Sequence, residues 1–228
     1  MAQNVGNAKN ILVGASPLFI SNIDVTDADY VQNAEPGAGD YAYESGVSFT
    51  QTLNEIDQVA GEFGYRNVGY TNNGLQVTYN PSYGSVTVDQ LLDTAKLFKE
   101  SMEVMIATEM AEGTLENVLA VFGQRSTTLT SAGTGQTATD KLGLAGGALG
   151  EAPTERQLIA VGQAPTSEAT ATERVYYARR VLSVQQSQFS LARNAASTFP
   201  VTFRLLPSGD SANAGQEYGF IVDRVLTV

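Results

Sequence analysis

Apolar and polar residues alternate with a period of two near the end of the chain. Ser187, Phe189 and Leu191 share one face of the stretch Gln186 to Leu191, with Gln186, Gln188 and Ser190 on the other. Val201, Phe203 and Leu205 likewise alternate with Thr202 and Arg204. Successive side chains of a strand point to opposite sides of a sheet, so this period predicts half-buried β-strands. The connection SGDSANAGQ is built from residues that tolerate turn dihedrals or bond their own backbone, and predicts a loop leading to a second strand in YGFIVDRVLTV. Phe189, Phe203 and Phe220 are then expected in the core.

Upstream, the apolar run NILVGASPLFIS (Asn10 to Ser21) is broken by Gly14 and Pro17 and predicts one or two short strands near a sheet edge. Asn22 to Gly46 has little apolar period and predicts a long loop, while Phe49 to Gly61 fits a strand or a helical turn. Tyr65 to Tyr70 and Leu75 to Tyr79 flank Thr71 to Gly74, where Asn-Gly supplies the positive φ of a tight hairpin turn. Ser85 to Val88 follows a further turn cluster, Asn80 to Gly84, so the expectation is a meander of three short strands.

Gln90 to Leu119 can be read as one long helix or as a strand followed by a short helix. The alternation of Met102, Val104, Ile106, Thr108 and Met110 with intervening residues favours a strand over Ser101 to Ala111. A separate helix then starts with Thr114 placed to cap, Glu116 near the positive end and Gly123 placed to stop. Leu115, Val118, Leu119 and Phe122 form its apolar stripe. Ser126 to Gly150, rich in Gly, Thr, Ala and Ser, predicts a loop or extended excursion, and Gln157 to Gln163 a strand. The total is roughly eight or nine short strands and one short helix, for which the economical arrangement is a mainly β fold, a two-sheet β-sandwich or flattened barrel. Residues 1–228 read as a single domain with long loops at about 22–46 and 126–150.

Composition narrows the chemistry. The chain has no cysteine, histidine or tryptophan. Disulfide frameworks, thiol nucleophiles, Cys and His zinc sites and the usual base titrating near neutrality are thereby excluded. Gly133-Thr134-Gly135 lacks the third glycine and the Lys-Ser/Thr pair of a phosphate loop. Asp24-Val25-Thr26-Asp27-Ala28-Asp29 matches a calcium loop only in part. Asp27 with Asp29, or Glu35 with Asp40, could form a carboxylate pair, but they sit in a polar loop with no apolar pocket around them. No catalytic, cofactor-binding or metal-binding residue is assigned, and the chain is read as a non-enzyme.

The net charge of -11 is unevenly spread. From Asn10 to Tyr65 there are nine acids (Asp24, Asp27, Asp29, Glu35, Asp40, Glu44, Glu55, Asp57 and Glu62) and no Lys or Arg. Such a field repels phosphate backbones; it reads either as a solvated face or as a functional acidic surface. Tyr30, Tyr41 and Tyr43 lie in the same loop and are candidate interface aromatics, with a core role as the other reading. No export-type apolar region and no run of about 20 apolar residues is present, so membrane insertion is not expected and residence in a cytoplasm, or release by lysis, is.

Four pieces in order resemble a family: NILVGASPLFIS, the stretch YRNVGYTNNGLQVTY, the block ESMEVMIATEMAEGTLENVLAVFG, and FSLARNAASTFPVTFRLLP with YGFIVDRV. Together they are similar to the tail tube proteins, or major tail proteins, of long-tailed bacteriophages. The resemblance implies a structural virion protein whose subunits close into rings, typically hexameric, that stack into a hollow tube around a tape-measure protein. It implies tail-tip and terminator partners, host cytoplasm during assembly, the virion tail thereafter, and DNA passing through the lumen during ejection without specific binding. Asp24, Asp27, Asp29, Glu35, Asp40 and Glu44 are then candidate acidic loop or lumen residues. The other readings are a phage decoration or baseplate-type β-sandwich, a contractile-system inner tube, and a carbohydrate-binding module.

Overall fold

The computed structural model describes residues 14, 16–21, 65–90, 93–132, 139–151, 153–165, 171–185, 187–189, 193 and 196–226. Within them lie ten strands and one α-helix. The first strands are β1 (Leu18–Ser21), β2 (Tyr65–Asn67), β3 (Thr71–Thr87) and β4 (Thr94–Met110), followed by the helix α1 (Leu115–Val121). Then come β5 (Leu129–Ala132), β6 (Thr139–Leu142), β7 (Arg156–Gln163), β8 (Ala171–Ser183), β9 (Phe199–Leu205) and β10 (Gly219–Leu226). The fold is mainly β, with antiparallel sheets in a sandwich-like arrangement, as the period-two pattern predicts.

The main sheet runs β2-β1-β7-β8-β9-β4-β3, and β10 also pairs with β8; β5 and β6 form a separate ribbon. One edge of β8 bonds β7. The other edge is shared, with Ala171 to Ala178 pairing to β10 and Val181 to Ser183 to β9. The sheet therefore branches at Arg179 and Arg180. Leu18, Ile20, Leu158, Ala160 and Ala178 pack in one core with Val104, Ile106, Met110, Val201 and Phe203, so the sheet curls over its own inner face. On the opposite side Phe19, Tyr65, Ile159, Val161, Val175 and Tyr177 form a second cluster. Burial on both sides explains why β7 reads as a continuous apolar run instead of alternating.

Both arginines hold the branch point. Arg179 is fully buried, donates from Nε to the Gln216 carbonyl at 3.1 Å, and lies over the rings of Tyr177 and Phe220 at 5.5 and 5.8 Å. Arg180 grips Glu155 with two bonds of 2.6 and 2.8 Å and donates to the Pro207 carbonyl at 2.9 Å. The loop between β9 and β10 is thereby tied to the strand it crosses.

The helix forms as its sequence predicts. Thr114 caps it, its side chain accepting from the Asn117 amide, Glu116 lies in the first turn, and Gly123 has φ 62. The buried set is Asn117, Leu119, Ala120 and Val121, with Leu115, Val118 and Phe122 only half-buried. Asn117 is completely buried because it is a polar hub: it accepts from Arg66 at 2.6 Å and donates to the carbonyls of Val68 and Glu112 at 2.9 and 2.8 Å.

Three expectations are corrected. The meander over residues 65–88 is not formed: β2 pairs with β1, and β3 is one strand of 17 residues that pairs with β4. Asn73 and Gly74 do take positive φ, 61 and 68, but in a bulge. Gln186 to Leu191 does not continue as a strand at Ser187 to Phe189; β8 ends at Ser183, and the last backbone bond to β9 runs from the Val184 amide to the Thr202 carbonyl. Phe189 is 38% exposed and stacks between Phe122 and Phe199, and Phe220 is half-buried, so of the three core phenylalanines only Phe203 is fully enclosed. The acidic loop 22–46 and the stretch 49–61 lie outside the described residues, as do 133–138 of the later excursion.

Arg180→Ala should lower stability by about 3 kcal/mol, because it strands a buried carboxylate. In urea unfolding, the Arg180→Ala/Glu155→Ala double variant should lose clearly less than the sum of the two single variants. Additive losses would mean that the ion pair does not brace the branch point.

Candidate interaction surface

β3 and β4 form an arm. Each strand has 17 residues, against the usual five or six, and the register runs from Thr71 opposite Met110 to Thr87 opposite Thr94. At about 3.3 Å per residue the arm is roughly 55 Å long. Only its root is in the core: Val104, Ile106, Thr108 and Met110 are buried, whereas Thr94 to Ser101 are exposed.

Local chemistry explains how so long a ribbon is accommodated. Between Asn72 and Gln76 the register slips, so that Asn73, Gly74 and Leu75 face Thr108 alone. The Thr108 hydroxyl donates to the Gly74 carbonyl at 3.0 Å and closes the bulge. Further out, Gly84 lies opposite Phe98, and a Cβ there would come within 2.6 Å of the Phe98 ring, so glycine admits the aromatic over the backbone.

β3 is the edge of the main sheet, and from Thr71 to Thr87 it carries no charged residue. Edge strands are ordinarily blunted by charge, proline or bulges because their free N–H and C=O groups template pairing with another chain. Here Pro81, the bulge at Asn73 to Leu75 and two further register shifts, at Ser82/Tyr83 and Val86/Thr87, interrupt the pairing, and no charge does on β3 itself. Val77 and Tyr79 are the register partners of Ile106 and Val104, so their face of the arm continues the core outward into solvent. Val77, Tyr79, Tyr83 and Leu97 are 48%, 65%, 59% and 64% exposed. Together they leave roughly 400 Å² of apolar surface uncovered, as large as the greatest patch on a typical monomer. The Lys99 ammonium lies 5.9 Å from the Tyr79 ring centre, and the Tyr218 hydroxyl donates to the Met102 carbonyl at 3.5 Å, bracing the root.

The titratable groups are arranged for structure. On adjacent strands Arg174 donates twice to Asp223, at 2.5 and 2.7 Å. These bonds hold the Asp223 carboxyl below its ordinary range and raise the Arg174 guanidinium further. Glu217 is likewise lowered, by the backbone amides of Gly215 and its own residue and by the charge of Lys99. Arg66, Arg156 and Glu116 line a cleft near α1, where Arg156 donates to the carbonyls of Ser21 and Gln124 at 2.9 and 3.2 Å and Arg66 to Asn117. These guanidiniums hold chain segments together. Among the described residues no group of three or more His, Cys, Asp or Glu could hold a metal ion, and no helix is long and apolar enough to cross a membrane.

Asp24, Asp27, Asp29, Glu35, Asp40, Glu44, Tyr30, Tyr41 and Tyr43 all lie outside the described residues. The surface that sequence reasoning missed is Val77, Tyr79, Tyr83, Leu97 and Phe98. For the β3 residues the signal was the charge-free run from Asn67 to Val88, masked by Asn-Gly and Asn-Pro, which read as turns; Leu97 and Phe98 lie outside it, between Lys96 and Lys99. No known family model matches the chain, and no curated protein matches it in sequence.

A depressed carboxyl stabilises the fold above its unfolded pKa of about 3.9 and loses that contribution as pH falls through the folded value. The stability difference between the wild type and Asp223→Asn should therefore be flat from pH 7 to about 5 and disappear as pH falls through the depressed folded value. Because the pair is exposed, the difference at pH 7 should stay within about 1 kcal/mol and shrink in high salt. Thermal unfolding across pH and salt checks this.

Proposed function

We propose that this chain is a structural protein that self-assembles into stacked rings forming a hollow tube, the tail tube of a long-tailed bacteriophage, through which DNA passes during ejection. The observation that carries the reading is the arm, a 17-residue charge-free edge with an apolar face open to solvent. A monomer would keep such an edge short or charged; a subunit that meets its neighbours by strand addition would not. The resemblance of the four sequence pieces points the same way, and two of them cover the root half of the arm, up to Tyr79 on β3 and from Glu100 on β4.

In this reading the subunits are joined by one another's sheets, and the tape-measure and tail-tip proteins set length and initiation. The excess of acids supports passage of DNA without adhesion, since like charge disfavours phosphate contacts.

Negative-stain microscopy of the purified protein across a concentration series should show rings or tubes with a central hole. Tyr79→Lys/Tyr83→Lys, which charges the exposed edge, should leave the melting temperature within about 2 °C of wild type and abolish these particles, with the protein sedimenting as a monomer. Undiminished assembly by this variant would remove the arm from the interface.

A further inference from the structure

The arm leaves the core at a break in its own ladder. β9 pairs with β4 only from Met105 to Met110, so from Val104 outward β4 has β3 as its single sheet neighbour among the described residues. A little further out Met102 stands opposite Pro81, which has no N–H to give. Immediately beyond, the register shifts between Ser82, opposite Ser101, and Tyr83, opposite Lys99, so that Glu100 has no register partner on β3. Burial changes at the same place: Thr94 to Ser101 are exposed, Met102 and Glu103 are half-buried, and Val104 is buried. A missing ladder donor, a register shift and the loss of the flanking strand thus fall together. A ribbon interrupted in this way can turn as a unit about Pro81 and Met102.

What holds the exit is the end of the loop after β9. Tyr218 and Met102 both pack half-buried against the core, and the Tyr218 hydroxyl donates to the Met102 carbonyl at 3.5 Å, a bond that Pro81 cannot supply. Tyr218 is itself fixed in place. Its carbonyl accepts from the Arg179 amide at 3.2 Å, the Gln216 carbonyl accepts from the Arg179 Nε at 3.1 Å, and the Glu217 carbonyl accepts from the Ser208 amide at 2.7 Å. The Glu217 carboxyl, held low chiefly by the Gly215 amide, is lowered further by the charge of Lys99, so the loop acts on the arm on both sides of the shift. On the other face of β4, Arg204 of β9 reaches Glu103 at 3.6 Å and holds the root up to that point. The freedom that remains lies beyond Met102.

We infer that the Pro81–Met102 pair is a hinge and Tyr218 its latch, a positioning residue that sets the direction in which the distal arm points. A single hydroxyl bond with a small net value holds the arm without locking it, so the latch is reversible. The device belongs to the single chain and goes beyond the tube reading. Where that reading holds, a latched subunit presents its charge-free edge in one direction before it meets a neighbour, and the contact does not also have to orient the arm.

The absence of cysteine gives a clean test. Ser85→Cys on the distal arm and Gln163→Cys at the end of β7, both at exposed positions, carry spin labels in one chain. The distribution of distances between them is measured by double electron–electron resonance at a concentration where the chain sediments as a monomer. The labelled parent should give one main distance. Tyr218→Phe, which removes only the hydroxyl, should raise the share of distances outside that peak about fivefold and keep the melting temperature within about 2 °C of the parent. Tyr65→Phe, which loses a hydroxyl bond to Gln157 at the opposite edge of the sheet, should leave the distribution unchanged. A distribution in Tyr218→Phe that matches the parent, or one that widens equally in both variants, would overturn the latch. A central hole in wild-type particles, or its absence, decides the tube reading separately, so neither conclusion falls with the other.

Discussion

The structure depends on the change of partner along β8. A single strand edge serves β10 over Ala171 to Ala178 and β9 over Val181 to Ser183, and two consecutive arginines occupy the point of transfer. A branch in a sheet leaves backbone groups of the departing strands in need of partners, and the loop 206–218 would otherwise drift from the strand it passes. Arg179 supplies a buried donor to Gln216, and the Arg179 amide bonds the Tyr218 carbonyl. Arg180, fixed by Glu155, supplies another to Pro207, while its carbonyl accepts from Leu206. Charged groups are costly to bury; here the Arg179 guanidinium lies over the Tyr177 and Phe220 rings while bonding the Gln216 carbonyl, and Arg180 is held by the Glu155 carboxylate.

Once the branch is fixed, β9 is directed away from β10 and carries β4 and β3 with it. The curled sheet encloses one core between β1-β7-β8 and β4-β9, but β3 and β4 run far past the place where that core ends. The arm's apolar face is therefore a continuation of the core with nothing from the described residues to cover it. The same chain thus has a well-packed interior and an apolar extension, and the extension is where association would lower the free energy most.

The two ends differ in kind. At the root, α1 is tied down by Asn117, Thr114 and the Phe122, Phe189 and Phe199 rings, and the following segment is pinned by Gln124 and Arg125. At the tip, two strands depend on each other alone. A two-stranded ribbon is marginal in water by itself, so the distal arm, like the separate β5–β6 ribbon, has low local stability. Association through the arm would order the part of the molecule that gains most from it.

Local signals in the sequence determined the strands β7, β9, β10 and the root of β4, the Thr114 cap, the Gly123 stop and the mainly β class, because each depends on period, capping or turn residues within a few positions. The positive φ of Asn73 and Gly74 was equally legible. What use the chain makes of it was not: a hairpin turn and a bulge both require that conformation, and only the pairing of β3 with β4 selects the bulge. Pro81 read as a breaker and is instead accommodated on an edge, which is a property of strand order. Gln186 to Leu191 carries the alternation of a strand yet lies beyond Ser183, where β8 has already given its edge to β9. The branch at Arg179 and Arg180, the burial of Asn117 and the exposure of Tyr79 and Tyr83 were decided by tertiary structure, since each rests on contacts between residues tens of positions apart.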